Sequence, residues 1–140
     1  MLNLGLVDSN ILVYIADATD KNRHKKAKLF LDTISEEPGR FVISVQNLRE
    51  FSSVMINKKK IKPKELEEYL SLFENSFEWV LIDSIDDVRE ASSLSLTKKT
   101  SFWDSLLVAT MERCDVSLIY TENIKDFKKF KGIKAVNPLK

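Results

Sequence analysis

Three glycines in 140 residues leave no glycine-rich loop that could cradle a phosphate, which disfavours nucleotide-binding folds built on such loops. A single cysteine, Cys114, excludes an internal disulfide, fits a reducing compartment and reads as a small buried apolar residue. The one histidine, His24, sits in a lysine-rich and exposed segment, so paired-imidazole acid–base chemistry is not available. No apolar run approaches membrane-spanning length. The opening "MLNLGLVDSNILVYIAD" lacks the basic start of a signal peptide and is interrupted by Asp8 and Asn10. A soluble, cytoplasmic protein is expected. Neither sign of charge dominates, with 22 Lys+Arg against 21 Asp+Glu, so a nucleic-acid partner would be held by local basic patches and not by the field of the whole molecule. Repeats, low-complexity segments and Pro/Gly-rich linkers are also missing, and residues 1–140 read as one domain.

What is present is an alternation of short β-rich runs and helical patterns. Strands are predicted at Leu2–Val7, Phe41–Ile43, Trp79–Ile82, Val116–Tyr120 and Ile133–Val136. Between them, Ala27, Phe30, Leu31 and Ile34 recur at helical spacing, as do Leu48, Phe51 and Met55, then Leu66, Tyr69, Leu70 and Phe73. Pro63 suits the first turn of that last helix, and "SIDD" at Ser84–Asp87 is a capping-box pattern before another. Alternating elements of this kind imply a mostly parallel sheet covered on both faces. Trp79 in a strand and Trp103 in an apolar helix start are expected to pack in the core. The lysine runs Asn22–Lys28, Asn57–Lys64 and Lys125–Lys134 read as solvated faces and loops, with phosphate contact reserved for any that border a site.

In an open parallel sheet, ligands sit outside the carboxyl ends of the strands. Four such places here carry acids or amides. Asp8 ends the first strand in "LVDSNILVY", Glu50 lies in "SVQNLREF" after the second, and Asp104 opens the helix "FWDSLLVATM" before the fourth. "YTENIKDF" then leaves the fourth strand with Thr121, Glu122, Asn123 and Asp126. Singly, Asp8 and Asp104 read as helix caps, Glu50 as a solvent-face glutamate and Asn123 as a turn residue. Together they are harder to dismiss, because converging carboxylates repel one another and are stable only with cations between them. Hard oxygen donors of this type suit Mg²⁺ or Mn²⁺ meeting substrate phosphates. The hydroxyls of Ser9 and Thr121 are candidates to support water or phosphate there.

The segments "VDSNILVY", "SVQNLREF", "FWDSLLVAT" and "IYTENIKDF", followed by "GIKAVNPL", resemble the successive motifs of the PIN domain, in particular of VapC-type toxin ribonucleases, over Gly5–Leu139. The resemblance implies a three-layer α/β/α fold with a central, mostly parallel five-stranded sheet. It also implies an Mg²⁺- or Mn²⁺-dependent endoribonuclease acting on RNA, restrained by a small antitoxin protein, and a homodimer. Asp8, Glu50 and Asp104 match the family's three most regular acids. The fourth position is either Asn123 or Asp126, which stand three apart and can share one helix face, and Glu122 is expected to be exposed. In such a site the metal lowers the pKa of a water and offsets charge on the leaving oxygen.

Two other readings compete. One is a PIN-fold binding module that has lost catalysis through Asn123. The other is a phospho-accepting receiver module, with Asp8 after strand one, Asp83 after strand three as acceptor and Thr121 after strand four. The receiver wants paired acids after strand one, and Asp8 is followed here by Ser9.

Overall fold

The structure is a computed structural model and describes residues 3–140. Its strands are β1 (Gly5–Val7), β2 (Phe41–Ser44), β3 (Trp79–Leu81), β4 (Leu118–Tyr120) and β5 (Lys134–Val136). They form one sheet in the order β3-β2-β1-β4-β5, and every pairing is parallel. The strands are shorter than the apolar runs suggested. Asn3 and Leu4, Ile82, Val116 and Ser117, and Ile133 lie outside the ladder, Ser44 is added to β2, and Leu2 lies outside the described residues. The apolar runs overshoot the ladder for different reasons: Val116, ahead of β4, is buried at 1 % exposure, whereas Ile82, after β3, is apolar but 63 % exposed.

Alternation along the strands divides the core in two. Val7, Phe41 and Ile43 face a cluster with Ile11, Leu12, Ala27, Ile34, Phe51 and Phe73, carried by helices α1 (Ser9–Ala16), α2 (Lys21–Glu36), α3 (Val45–Asn57) and α4 (Pro63–Ser76). Leu6, Val42 and Ile119 face the opposite way. They meet Leu107, Val108 and Met111 of α6 (Phe102–Arg113) and Phe127 of α7 (Ile124–Phe127). Helix α5 (Ile85–Lys98) packs on α6. The result is the expected three-layer α/β/α arrangement.

Local chemistry sets the helix starts. Pro63 is the first residue of α4, where its missing N–H costs nothing. Ser84 and Asp87 form a reciprocal capping box on α5, and Ser44 and Asn47 form another on α3. At the sheet centre, a Cβ on Gly5 would stand 2.3 Å from Tyr120 Cε2. The Tyr120 ring occupies that space and packs at 5.1 Å from Phe30 and 5.4 Å from Phe41.

The chain runs from β1 outward through β2 to β3 and then returns to place β4 on the other side of β1. The crevice between β1 and β4 is therefore the topological switch point, where an open α/β sheet leaves room for a ligand. Val7 pairs with Tyr120, so Asp8 and Thr121 leave adjacent strands side by side.

Both tryptophans depart from the sequence expectation. Trp79 is 51 % exposed because β3 is a sheet edge, and Trp103 is 60 % exposed because it stands in the first turn of α6, ahead of the stretch Ser105–Met111 that is buried on all sides.

Candidate active site

Asp8 is buried, at 6 % exposure, and heavily engaged. The Ser9 amide donates to its Oδ1 at 2.8 Å, the Thr121 hydroxyl donates to its Oδ2 at 2.8 Å, and Asn47 Nδ2 stands 3.5 Å from Oδ1. It occupies the N-cap position of α1, so the capping role and membership of the acidic group coexist in one residue. Burial raises its pKa above the ordinary carboxylate value, and the Thr121 and Ser9 hydrogen bonds oppose that rise.

Thr121 is fully buried and has no hydroxyl capacity left for substrate. Its oxygen donates to Asp8 and accepts from Asn10 Nδ2 at 3.2 Å and from the Asn123 amide at 3.0 Å. It orients Asp8 and does not face a phosphate. Asn47 and Asn10 are additions that the sequence reading missed. The serine three residues before Asn47 was the available signal for a capping box, whereas the Asn10 contact spans 111 residues and has no local signature.

Glu50 and Asp104 are half-buried, and each feels the charge of Asp8. Glu50 has its pKa pushed up to about 7, first by burial, then by the charges of Asp8 and Asp104. Asp104 is pushed up to about 6 by burial, then by Asp8 and Asp126, with Lys129 opposing. Asp104 is not the cap of α6: Ser101 is, its hydroxyl accepting from the Asp104 amide at 3.4 Å. Its carboxylate is thus left to the acidic group. Among the described residues, Asp8, Glu50 and Asp104 form no salt bridge.

The fourth position separates into two locations. Asp126 is exposed on α7 and acts electrostatically on Asp104. Asn123, also exposed, lines a cavity of about 330 Å³ with Ser9, Asn10, Lys58 and Lys59. Glu122 is not the exposed residue expected. It accepts from the Tyr14 hydroxyl at 2.8 Å and from Arg23 Nε at 2.6 Å, tying the loop after β4 to α1 and α2. His24 is half-buried, its Nδ1 lying 2.8 Å from the Tyr14 carbonyl oxygen.

As they stand, no three His, Cys, Asp or Glu side chains among the described residues are close enough together to share one ion. The donor set nonetheless fits a divalent cation in kind: hard carboxylate oxygens without a salt bridge among the described residues, their pKa values raised first by burial and then, for Glu50 and Asp104, by neighbouring acids. Mutual repulsion both raises the pKa values and keeps such groups apart. A larger cavity, about 750 Å³, lies elsewhere, lined by Val45, Leu48, Leu70, Val80 and Ile82.

The receiver reading fails on topology. β3 is separated from β1 by β2, so Asp83 does not meet Asp8; it lies instead 3.6 Å from Arg49. The model of the PIN domain matches residues 5–133. The chain belongs to the PIN domain family. Solved structures agree on the fold. VapC20 of Mycobacterium tuberculosis, described as a sarcin-ricin loop cleaving toxin, superposes with a TM-score of 0.70 at 17% identity, covering 89% of this chain and 92% of that one. A toxin–antitoxin complex from Klebsiella pneumoniae gives 0.66 at 25% identity, covering 96% and 97%. VapBC2 from Rickettsia felis, bound to a promoter DNA fragment, gives 0.64 at 19%, covering 96% and 98%. None of the curated protein sequences compared with the chain matches it. For this PIN domain, no helix among the described residues is long and apolar enough to cross a membrane.

Proposed function

We propose that this PIN domain is a metal-dependent endoribonuclease and the toxin of a toxin–antitoxin pair. The observation that carries the reading is the acidic group at the switch point, where Asp8, Glu50 and Asp104 form no salt bridge among the described residues, burial raises the pKa of each, and Asp8 raises those of Glu50 and Asp104 further. Structural carboxylates are normally paired; these are not. The likeness to VapC20 and to VapBC complexes supports the biological setting.

In this reading Asp8, Glu50, Asp104 and Asp126 hold Mg²⁺ or Mn²⁺, with Asn123 as the alternative at the fourth position. The ion supplies Lewis acidity that lowers the pKa of water and offsets charge on the leaving oxygen. The chain supplies the rest. Thr121 and the Ser9 amide fix the Asp8 carboxylate, and Asn47 steadies it from α3. Lys58, which lines one cavity with Ser9 and Asn10, and Lys129, close enough to act on Asp104, give the RNA backbone cationic neighbours, whereas Lys59 of that cavity is paired with Asp17 at 2.9 Å. The nucleophile is water and not the 2′-hydroxyl, so the products carry 5′-phosphate and 3′-hydroxyl ends.

The test is cleavage of single-stranded and hairpin RNA with Mg²⁺, with Mn²⁺ and with chelator, followed by end-group analysis. Activity that survives chelation, or 2′,3′-cyclic ends, would overturn it. An antitoxin fits the same charge argument by inserting an arginine among the acids, where a guanidinium matches carboxylates bidentately. Self-association is assigned to the β3 edge, where Trp79, Ile82 and Ile85 are exposed at 51, 63 and 72 %.

A further inference from the structure

We propose that Trp103, with Gln46, Arg49 and Ser53, forms a subsite that stacks one RNA base directly beside the acids; this rests on the RNA-cleavage reading. Trp103 immediately precedes Asp104 and leaves 60 % of its surface in water. An indole so placed exposes a large apolar face that the fold has no use for. It is not loosely held. Gln46 Nε2 donates to the Trp103 carbonyl at 2.9 Å, and Phe102 packs against the indole edge-to-face at 5.2 Å.

Below the indole is a cavity of about 370 Å³ lined by Gln46, Arg49, Glu50, Ser53 and Trp103. Its size is that of a small-ligand pocket. Gln46 is 6 % exposed, and its Oε1 is the one buried side-chain polar atom without a hydrogen-bond partner among the described residues. Buried acceptors are nearly always satisfied, so an orphan on a side chain that lines the cavity points to a missing donor. Base edges carry such N–H donors. Arg49 is held only by a 3.6 Å contact to Asp83, and its side chain is 62 % exposed, so a guanidinium stands at the same cavity for a phosphate.

Glu50 belongs both to this cavity and to the acidic group, which places an occupant next to the phosphate being cut. A π-face, an orphan acceptor and a guanidinium match the face, edge and backbone of a nucleotide. Because every base has a π-face, the subsite contributes affinity and position along the strand more than sequence choice.

The experiment has two arms. In the first, Trp103→Ala and Trp103→Phe are assayed on an oligoribonucleotide and on versions carrying an abasic nucleotide at each position flanking the cut. Trp103→Ala should raise KM on the order of 5- to 150-fold with little change in kcat, and Trp103→Phe should recover most of it. One abasic position should erase the difference between wild type and Trp103→Ala. Leu96→Ala, on an exposed face of α5 and outside the cavity lining, should change nothing.

The second arm needs no cleavage. In a Trp79→Phe, Asp8→Asn background, where Trp103 is the sole indole, oligoribonucleotide binding should quench its fluorescence. Quenching without any cleavage by wild type would keep the subsite and sink the nuclease reading. Cleavage by wild type with no quenching and an unchanged KM in Trp103→Ala would sink the subsite alone, and loss of inhibition by a partner protein in that variant would assign the pocket to protein instead.

Discussion

Two buried aspartates divide the molecule. Asp87, 3 % exposed, lies in the scaffold between α5 and α6, and Asp8, 6 % exposed, lies at the switch point. Asp87 has everything a buried carboxylate needs. Arg113 Nε donates to both of its oxygens at 2.9 Å, the Ser84 amide donates at 2.8 Å, and the Thr110 hydroxyl at 3.4 Å. Asp8 has neutral donors only, and its charged neighbours, Glu50 and Asp104, are of its own sign. Burial alone therefore does not mark a functional acid. What marks it is burial without a counter-charge, because the fold then carries a repulsion that only a ligand relieves.

The comparison breaks most sharply under substitution to the isosteric amide. Asp104→Asn or Asp8→Asn should lower RNA cleavage on the order of 10²–10³-fold, the scale of losing one charged stabiliser in an active site. The same Asp104→Asn change should leave the metal-free protein as stable or more so, since one repelling charge is gone. Wild-type cleavage rates in Asp104→Asn would remove this acid from the site.

Asp87→Ala should do the reverse: stability falls by about 1–3 kcal/mol as a buried hydrogen-bonded group is lost, while cleavage per folded molecule is kept. Urea midpoints with matched activity assays check it, and a loss of activity in folded Asp87→Ala would blur the two classes. At the fourth position, Asp126→Ala should cost cleavage by about tenfold, and Asn123→Ala by less. The opposite order would give the role to Asn123.

The smallest effect is a slope of stability with pH. Glu50, at about 7, and Asp104, at about 6, keep their protons in the folded state to higher pH than when unfolded. Between their unfolded values near 4 and those raised values the folded state binds more protons, so metal-free stability falls as pH rises through about 4 to 7. Melts in chelator should show that decline. Added Mg²⁺ should flatten it, because the ion takes over from the protons.

Much of this was legible in the sequence. Element order, three-layer packing and the helix starts at Pro63 and Ser84 follow from periodicity and capping chemistry. The places at strand ends where Asp8, Glu50 and Asp104 would gather follow from the sheet rule. Exposure was less legible. α6 is buried at every position from Ser105 to Met111 and mostly apolar, so its pattern names no face, and nothing in it says that Trp103 stands outside. Glu122 looked solvent-bound because its partners, Tyr14 and Arg23, are about a hundred residues away. Asn10 and Thr121 are paired by the same kind of long-range contact. Local patterns read the scaffold well and the polar wiring of the site poorly, since that wiring is made between elements distant in the chain.

The bond from Thr121 to Asp8 spans 113 residues of sequence. During synthesis the first partner is made early and the second late. At roughly 5–20 residues per second, an interval on the order of ten seconds separates them. Through that interval β1 has only β2 beside it, the Asp8 carboxylate has no hydroxyl to orient it, and the crevice has one wall. The acidic group is assembled only when β4 slots in against β1. Whatever this site does to its surroundings, a half-made chain still on the ribosome cannot do it.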